Sequence, residues 1–282
     1  MKPKNDFLKN VWALAIPVAL QSMLQSSFSM VDQIMIGQLG EINVAGVGLA
    51  GKFASIYSVV ISAIGAVAGI MISQYLGQEK SAEVRRSFFT NLALAAVIAG
   101  LFTAVCVLFP ETVMRAYTKD AATRQAAAEY LRYISATFFP MAGATLLSTA
   151  FRCAEKPRLP LYASIFSALL NTGLNYVLIF GKLGFPALGI TGAAAATLLS
   201  RVVEFILAFS YALRCRTVPL MRRALLHPGM DMLRRFLRYS APVLINETLW
   251  GLGFSMITVI MGHMAASSDL IAAYTLAGNI DK

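Results

Sequence analysis

Asp32, Asn171, Asn175, Thr197 and Glu247 are the side chains whose types and placement could handle a cation inside an apolar protein. Asp32 lies in an apolar run from Val11 to Ile36 that contains no other charge. Roughly 20 such residues, rising ~1.5 Å each, cross the ~30 Å hydrocarbon core of a bilayer. A carboxylate at that depth costs on the order of 3 kcal/mol unless it is paired, protonated or hydrated, and so marks a functional candidate. The structural alternative is an acid at the helix end that snorkels into the headgroups, because Gly37-Gln38-Leu39-Gly40 turns the chain soon afterwards.

Asn171 and Asn175 are four residues apart on another apolar run and share one helix face. Thr197 ends the stretch Gly192-Ala193-Ala194-Ala195-Ala196, whose small residues allow close helix approach. A carboxylate with carboxamide and hydroxyl oxygens at similar depth can take a proton or Na+. Interhelical hydrogen bonding is the rival role for the asparagines, and back-bonding to its own helix the rival for Thr197. Glu247, beside Asn246, is mid-span, too deep to snorkel, and is expected to face a cavity. Arg201 and Glu204, three apart, read as an intrahelical ion pair, and Lys52 as a snorkelling residue at the outer start of the second span. His227 and His263 have no adjacent nucleophile, so no enzyme is expected. Cys106, Cys153 and Cys215 are widely spaced and read as small apolar residues; no cofactor is implied, and no metal beyond a coupling Na+.

The elements that must position these groups are transmembrane helices. With 57% hydrophobic and 13% charged residues, the chain carries about half the charge of a soluble protein. In lipid the backbone must hydrogen-bond within helices, and the apolar runs are too long and too unalternating for barrel strands. The fold class is therefore an all-α integral membrane protein. Seven spans are expected, at 11–36, 45–76, 86–109, 125–151, 160–180, 189–213 and 236–264, with an eighth opening near Asp269. Pro17, Pro140 and Pro242 fall inside spans as kinks. The first span reads as a retained helix and not as a signal peptide, because its apolar run is full length and lacks a small-residue cleavage site.

The formal net charge of +10 is distributed by topology. With the N-terminus inside, the inner segments hold Lys2, Lys4 and Lys9, then Lys80, Arg85 and Arg86, then Arg152, Lys156 and Arg158, then the arginines of the 214–238 segment. The outer segments hold only Arg115, Lys119, Arg124 and Lys182. The positive-inside rule thus orients the chain in a cytoplasmic membrane. The arginine-rich linker can touch anionic lipid, and it lacks the aromatic interleaving that nucleic-acid binding would use.

The seventh span repeats the first. Ala15-Ile16-Pro17-Val18 is matched by Ser240-Ala241-Pro242-Val243, Phe28-Ser29-Met30 by Phe254-Ser255-Met256, Gly37 by Gly262, and Leu49-Ala50-Gly51 by Leu276-Ala277-Gly278. Six spans separate the copies, so both point the same way, as in parallel-repeat transporters whose substrate binds between lobes. The expected domains are a six-helix N-lobe over 1–213, a basic cytoplasmic linker over 214–235 and an incomplete C-lobe over 236–282. Glu247 aligns with Ser22 and Asp32 with Ile257, so the two acids are not symmetry copies.

Several segments carry a family likeness: Ala15-Ile16-Pro17, Val31-Asp32-Gln33-Ile34-Met35-Ile36-Gly37, Gln74-Tyr75-Leu76-Gly77, Phe151-Arg152-Cys153-Ala154-Glu155-Lys156-Pro157, Asn171 to Phe180-Gly181, and Gly189-Ile190-Thr191-Gly192-Ala193-Ala194. In order and spacing they resemble the multidrug and toxic compound extrusion (MATE) transporters, most closely the NorM-like branch. The resemblance implies a twelve-helix fold of two six-helix lobes, here C-terminally truncated. It implies a monomeric antiporter that exports organic cations or amphipathic compounds in exchange for H+ or Na+. It also implies that Asp32, Asn171, Asn175 and Thr197 form the N-lobe cation site, and that Glu247 is the acid of the C-lobe cavity. Some relatives carry a second carboxylate where this chain has Asn175, which leaves the choice between H+ and Na+ open. The rival functions are a lipid-linked oligosaccharide flippase of the same fold group, which would need a strongly basic cavity, and a membrane fragment that transports nothing.

Overall fold

The structure is a computed structural model that describes residues 3–214, 230–264, 270, 271, 273–275 and 277. Among the described residues there are α-helices and one short 3₁₀ turn, and no strand. In chain order the helices are α1 (Pro3–Gly37), α2 (Glu41–Gly77), α3 (Ser81–Leu108), α4 (Pro110–Arg115), α5 (Ala121–Ile134), α6 (Phe138–Cys153), α7 (Arg158–Phe180), α8 (Gly189–Arg214) and α9 (Met230–Met261). Six spans among the described residues are long and apolar enough to cross a membrane: α2, α3, α5 continuing into α6, α7, α8, and α9 from Ser240. α1 carries the predicted first span within its 35 residues. The predicted linker over 214–235 lies largely outside the described residues; of the predicted eighth span Asp269 is outside them, while 270, 271, 273–275 and 277 are helical.

α2 is the hub. Its 37 residues rise about 55 Å, more than the ~30 Å core, so it must tilt or protrude. It packs against α3, α5, α6 and α9. Tyr57 of α2, fully buried, stacks on Phe138 with ring centroids 4.2 Å apart and donates its hydroxyl to the Phe138 carbonyl at 2.6 Å. Phe102 of α3 closes this aromatic cluster 5.4 Å from Tyr57. Most of the contact is dispersion and apolar burial, and the hydrogen bond satisfies a carbonyl that has no water to turn to.

The fourth span is continuous in sequence but not in helix type. α5 gives way at Ser135–Thr137 to a 3₁₀ turn before α6 begins. Pro140 therefore sits in the first turn of α6, where its missing N–H costs nothing, and not within an unbroken kinked helix. Pro17 and Pro242 do lie inside α1 and α9. In both helices the proline precedes the closing glycine, Gly37 or Gly262, by the same interval. The short helix α4 is an addition to the predicted spans. It leads to Asp120, whose Oδ2 accepts the Thr123 amide at 2.8 Å and starts α5.

The face that carries Asp32, Asn171, Asn175 and Thr197 is built by α1, α7 and α8. α7 ends on Gly181 in the left-handed region at φ 65°, where a Cβ would lie 2.6 Å from the Ala187 backbone nitrogen. The chain then returns directly into α8. Gly192 lets α8 seat on the end of α7, since a Cβ there would stand 2.6 Å from the Leu178 carbonyl oxygen.

Candidate functional site

Three of these helices bring four predicted residues together. α1 presents Asp32, α7 presents Asn171 and Asn175 one turn apart, and α8 presents Thr197. The Asn175 amide nitrogen donates to Oδ1 of Asp32 and also to Oδ1 of Asn171, the second bond at 3.2 Å. Asn171 in turn donates to the Thr197 hydroxyl oxygen at 3.3 Å. The hydroxyl of Thr197 itself donates back to the Ala193 carbonyl at 3.0 Å. Thr197 is thus back-bonded to its own helix while accepting from Asn171, and Asn175 bonds between helices.

Asp32 lies five residues before the end of α1 and is half-buried. It lines a cavity of about 160 Å³ with Asn171, Thr197, Ser167, Ser200 and Gln25 among its walls. Asn175 is fully buried, and its Oδ1 has no hydrogen-bond partner. An unpartnered buried carbonyl oxygen beside a carboxylate is the donor set a hard cation seeks. Carboxylate, carboxamide and hydroxyl oxygens fit Na+ or a proton shared with Asp32. Among the described residues no group of three or more histidine, cysteine, aspartate or glutamate side chains clusters as a metal site.

Glu247 is not part of this arrangement. It lies half-buried on α9, which packs on α2 and α3, and it lines neither this cavity nor the larger one beside it. Lys52 is half-buried with its ammonium 4.5 Å above the ring of Tyr274. Cys106 is buried and Cys153 half-buried, as small apolar residues would be.

Two features escaped the sequence. Tyr130 of α5 is buried close enough to Asp32 to feel its charge. Its only sequence signal is a phenol two residues after the small-residue run Ala126-Ala127-Ala128, which permits close packing. Glu204 does pair with Arg201, Nη1 to Oε2 at 2.7 Å, as the spacing predicted. Glu204 is also buried, accepts the Ser164 hydroxyl at 2.9 Å, and lines the Asp32 cavity. A glutamate in an apolar span was itself the signal, and the arginine three residues earlier masked it.

Comparison with known proteins places the chain in a family. The "Probable multidrug resistance protein NorM" of Thermotoga maritima is 27% identical over 276 residues, which is 98% of this chain and 59% of that protein. The "Uncharacterized transporter YisQ" of Bacillus subtilis is 24% identical, over 98% of this chain and 60% of the relative. The chain thus spans about six-tenths of the length of these curated relatives. Among solved structures, a multidrug resistance MATE family transporter of the MOP superfamily in an inward-facing conformation superposes with a TM-score of 0.79 at 21% identity, over 95% of this chain and 61% of that one. An outward-facing conformation of such a transporter gives 0.76 at 20% identity, over 97% and 64%. At that identity the structures establish the fold. The MatE family model matches residues 17–177, more than half of the chain and the whole stretch from the α1 proline through Asp32 to Asn175, and the chain belongs to the MATE family.

Proposed function

We propose that this chain is the N-lobe and the opening of the C-lobe of a secondary antiporter that exports amphipathic or cationic compounds in exchange for H+ or Na+. The observation that carries the reading is the bonding of Asp32 to Asn175, and through Asn171 to Thr197, inside membrane-spanning helices. A lone carboxylate there is costly, and a set of oxygens on three helices makes it a cation site. Cation uptake removes the net negative charge of the site. A ligand shifts a conformational equilibrium only by its differential affinity for the two states, and a charge present in one and neutralised in the other supplies that difference.

In this reading the N-terminus is cytoplasmic, the protein acts as a monomer in the plasma membrane, and the coupling cation enters from outside. Glu247 serves a separate acid function where the two lobes meet. The flippase alternative is disfavoured by the cavity charges: Arg152 and Arg201 are offset by Glu204 and Asp32, so no strongly basic chamber exists among the described residues.

The test is transport in reconstituted vesicles under imposed gradients, with a fluorescent organic cation as the reporter. Movement driven by an inward H+ or Na+ gradient, and lost in Asp32→Asn, is the expected result. Reporter movement insensitive to both gradients would refute antiport.

A further inference from the structure

Two cavities adjoin among α1, α6, α7 and α8. The smaller holds Asp32 with Asn171 and Thr197. The larger, about 580 Å³, reaches Arg152, Leu159 and Tyr211, where α6 ends, α7 begins and α8 nears its end. Gln25, Ser164, Arg201 and Glu204 line both and so form the wall between them. That wall is bonded across three helices. Gln21 of α1 donates to the Ser164 hydroxyl oxygen of α7 at 2.8 Å, and Ser164 donates to Oε1 of Glu204 on α8 at 2.9 Å. Arg201 Nη1 donates to Oε2 of the same carboxylate at 2.7 Å.

As glue, an ion pair is a poor choice here. Desolvating an arginine and a glutamate inside a membrane offsets most of their attraction, and an apolar pair of like volume would hold α7 to α8 at least as well. The same near-balance makes the contact reversible. Charges that part can rehydrate, so opening recovers the cost of desolvation, whereas parted apolar side chains gain nothing from water. The pair is also lopsided. The Glu204 side chain is 10% exposed and that of Arg201 38%, so the charge the wall shows is the guanidinium. A cation crossing between the cavities meets that positive charge in surroundings that screen it weakly. The other charged and titratable side chains lining the two cavities are Asp32 on α1, Arg152 on α6, Tyr162 on α7 and Tyr211 on α8. Arg152 is held at 3.2 Å by Ser148 of its own helix.

We propose that Arg201 and Glu204 are positioning residues that form an openable partition between the Asp32 site and the larger cavity. In this structure the bonded wall is shut and bars small cations from passing between the two. Its opening sets when the coupling cation leaves Asp32 toward the side where α6 ends and α7 begins. Glu204 holds the guanidinium in place, and Ser164 and Gln21 tie the pair to α1, the helix that carries Asp32. A shift of α1 against α7 and α8 is therefore what parts the wall. The partition rests on the antiport reading for its purpose, and not for the barrier itself.

The experiment places one thiol in the smaller cavity, Ala168→Cys, with Cys106, Cys153 and Cys215 changed to alanine. Ag+, a small thiol-reactive cation, is added to sealed vesicles on the face that carries Arg152 and Arg158, and loss of the free thiol is timed. With the native pair the thiol should react slowly. The double variant Arg201→Gln with Glu204→Gln keeps the volume and leaves no unpaired charge; it should react about tenfold faster or more, the scale of one charged hydrogen bond. Methyl methanethiosulfonate, a neutral reagent, should show a smaller difference, because the guanidinium opposes cations. Arg201→Lys, which keeps the charge, should stay slow. Arg201→Met with Glu204→Leu should hold its melting temperature, stay slow to Ag+ and lose gradient-driven transport, since an apolar wall does not reopen. Equal Ag+ rates with the native pair and the double glutamine, or transport that persists with the apolar pair, would overturn the proposal. Should the double glutamine fail to fold, Ser164→Ala cuts Gln21 from Glu204 and keeps both charges: faster reaction supports the partition and an unchanged rate refutes it. Ag+ rates as expected with no gradient-driven transport in the wild type would sink the antiport reading and leave the partition standing.

Discussion

Asn175 of α7 donates to the Asp32 carboxylate of α1 across 143 positions of sequence. The bond joins the residue most costly to leave in the membrane to a helix that already carries Asn171, and through it Thr197 of α8. The carboxylate is therefore oriented, not only buried.

Asp32→Asn should abolish cation-dependent transport while leaving the fold nearly intact, because the amide keeps the shape and loses the charge. Efflux and thermal stability measured side by side check this. Wild-type coupling in the variant would return Asp32 to a snorkelling role.

Asn171→Ala and Asn175→Ala should each weaken cation binding by about tenfold. Asn175→Ala should be the more severe, since it removes the direct donor to Asp32 and a buried oxygen that has no other partner. Cation-dependent fluorescence against melting temperature separates the roles: a large stability loss with unchanged cation affinity would make them interhelical glue.

Gly192→Val should destabilise by about 1–3 kcal/mol, because its Cβ would meet the Leu178 carbonyl oxygen at 2.6 Å and backbone cannot swing aside. Displacing α8 from α7 also parts Thr197 from Asn171, so the cation response should fall with stability. Gly173→Ala, where a Cβ meets nothing within 4 Å, is the control and should change neither.

Tyr117→Phe should flatten the alkaline loss of stability. Tyr117 lies between α4 and α5, outside the spans, and shares a 2.7 Å hydrogen bond with Ser255 of α9. Burial pushes its phenol above the ordinary 10.0, and the Ser255 bond opposes this in part. The folded state holds the proton more tightly than the unfolded one, so its contribution is full below about pH 10 and is lost as pH rises through the folded value. Thermal melts of both proteins across that range check the sign.

Glu247→Gln should alter transport without altering cation binding at Asp32, because Glu247 lies outside both cavities. Efflux measured against outside pH, for this variant and for its double mutant with Asp32→Asn, distinguishes two routes from one. An unchanged profile would remove Glu247 from the mechanism.

Composition alone settled the class of molecule, since a chain this apolar and this weakly charged can satisfy its backbone only in membrane helices. Residue type and helical period also put Asp32, Asn171, Asn175 and Thr197 on the page, because a polar group in an apolar span is costly wherever the span ends up. The sequence could not show that Asn175 meets Asp32 while Glu247 stands apart. Depth along a helix is legible from residue number, but which helices are neighbours depends on close approaches such as Gly192 against Leu178, which are set between elements. The same limit concealed Glu204. Read along its own helix it is half of an i,i+3 pair, and only the packing of α1 and α7 onto α8 makes it a buried carboxylate between two cavities. Likewise Phe138, just after the break at Ser135–Thr137, packs on Tyr57 and Phe102, contacts made by helices distant in sequence. Local chemistry selects candidates, and tertiary packing decides which of them share a space.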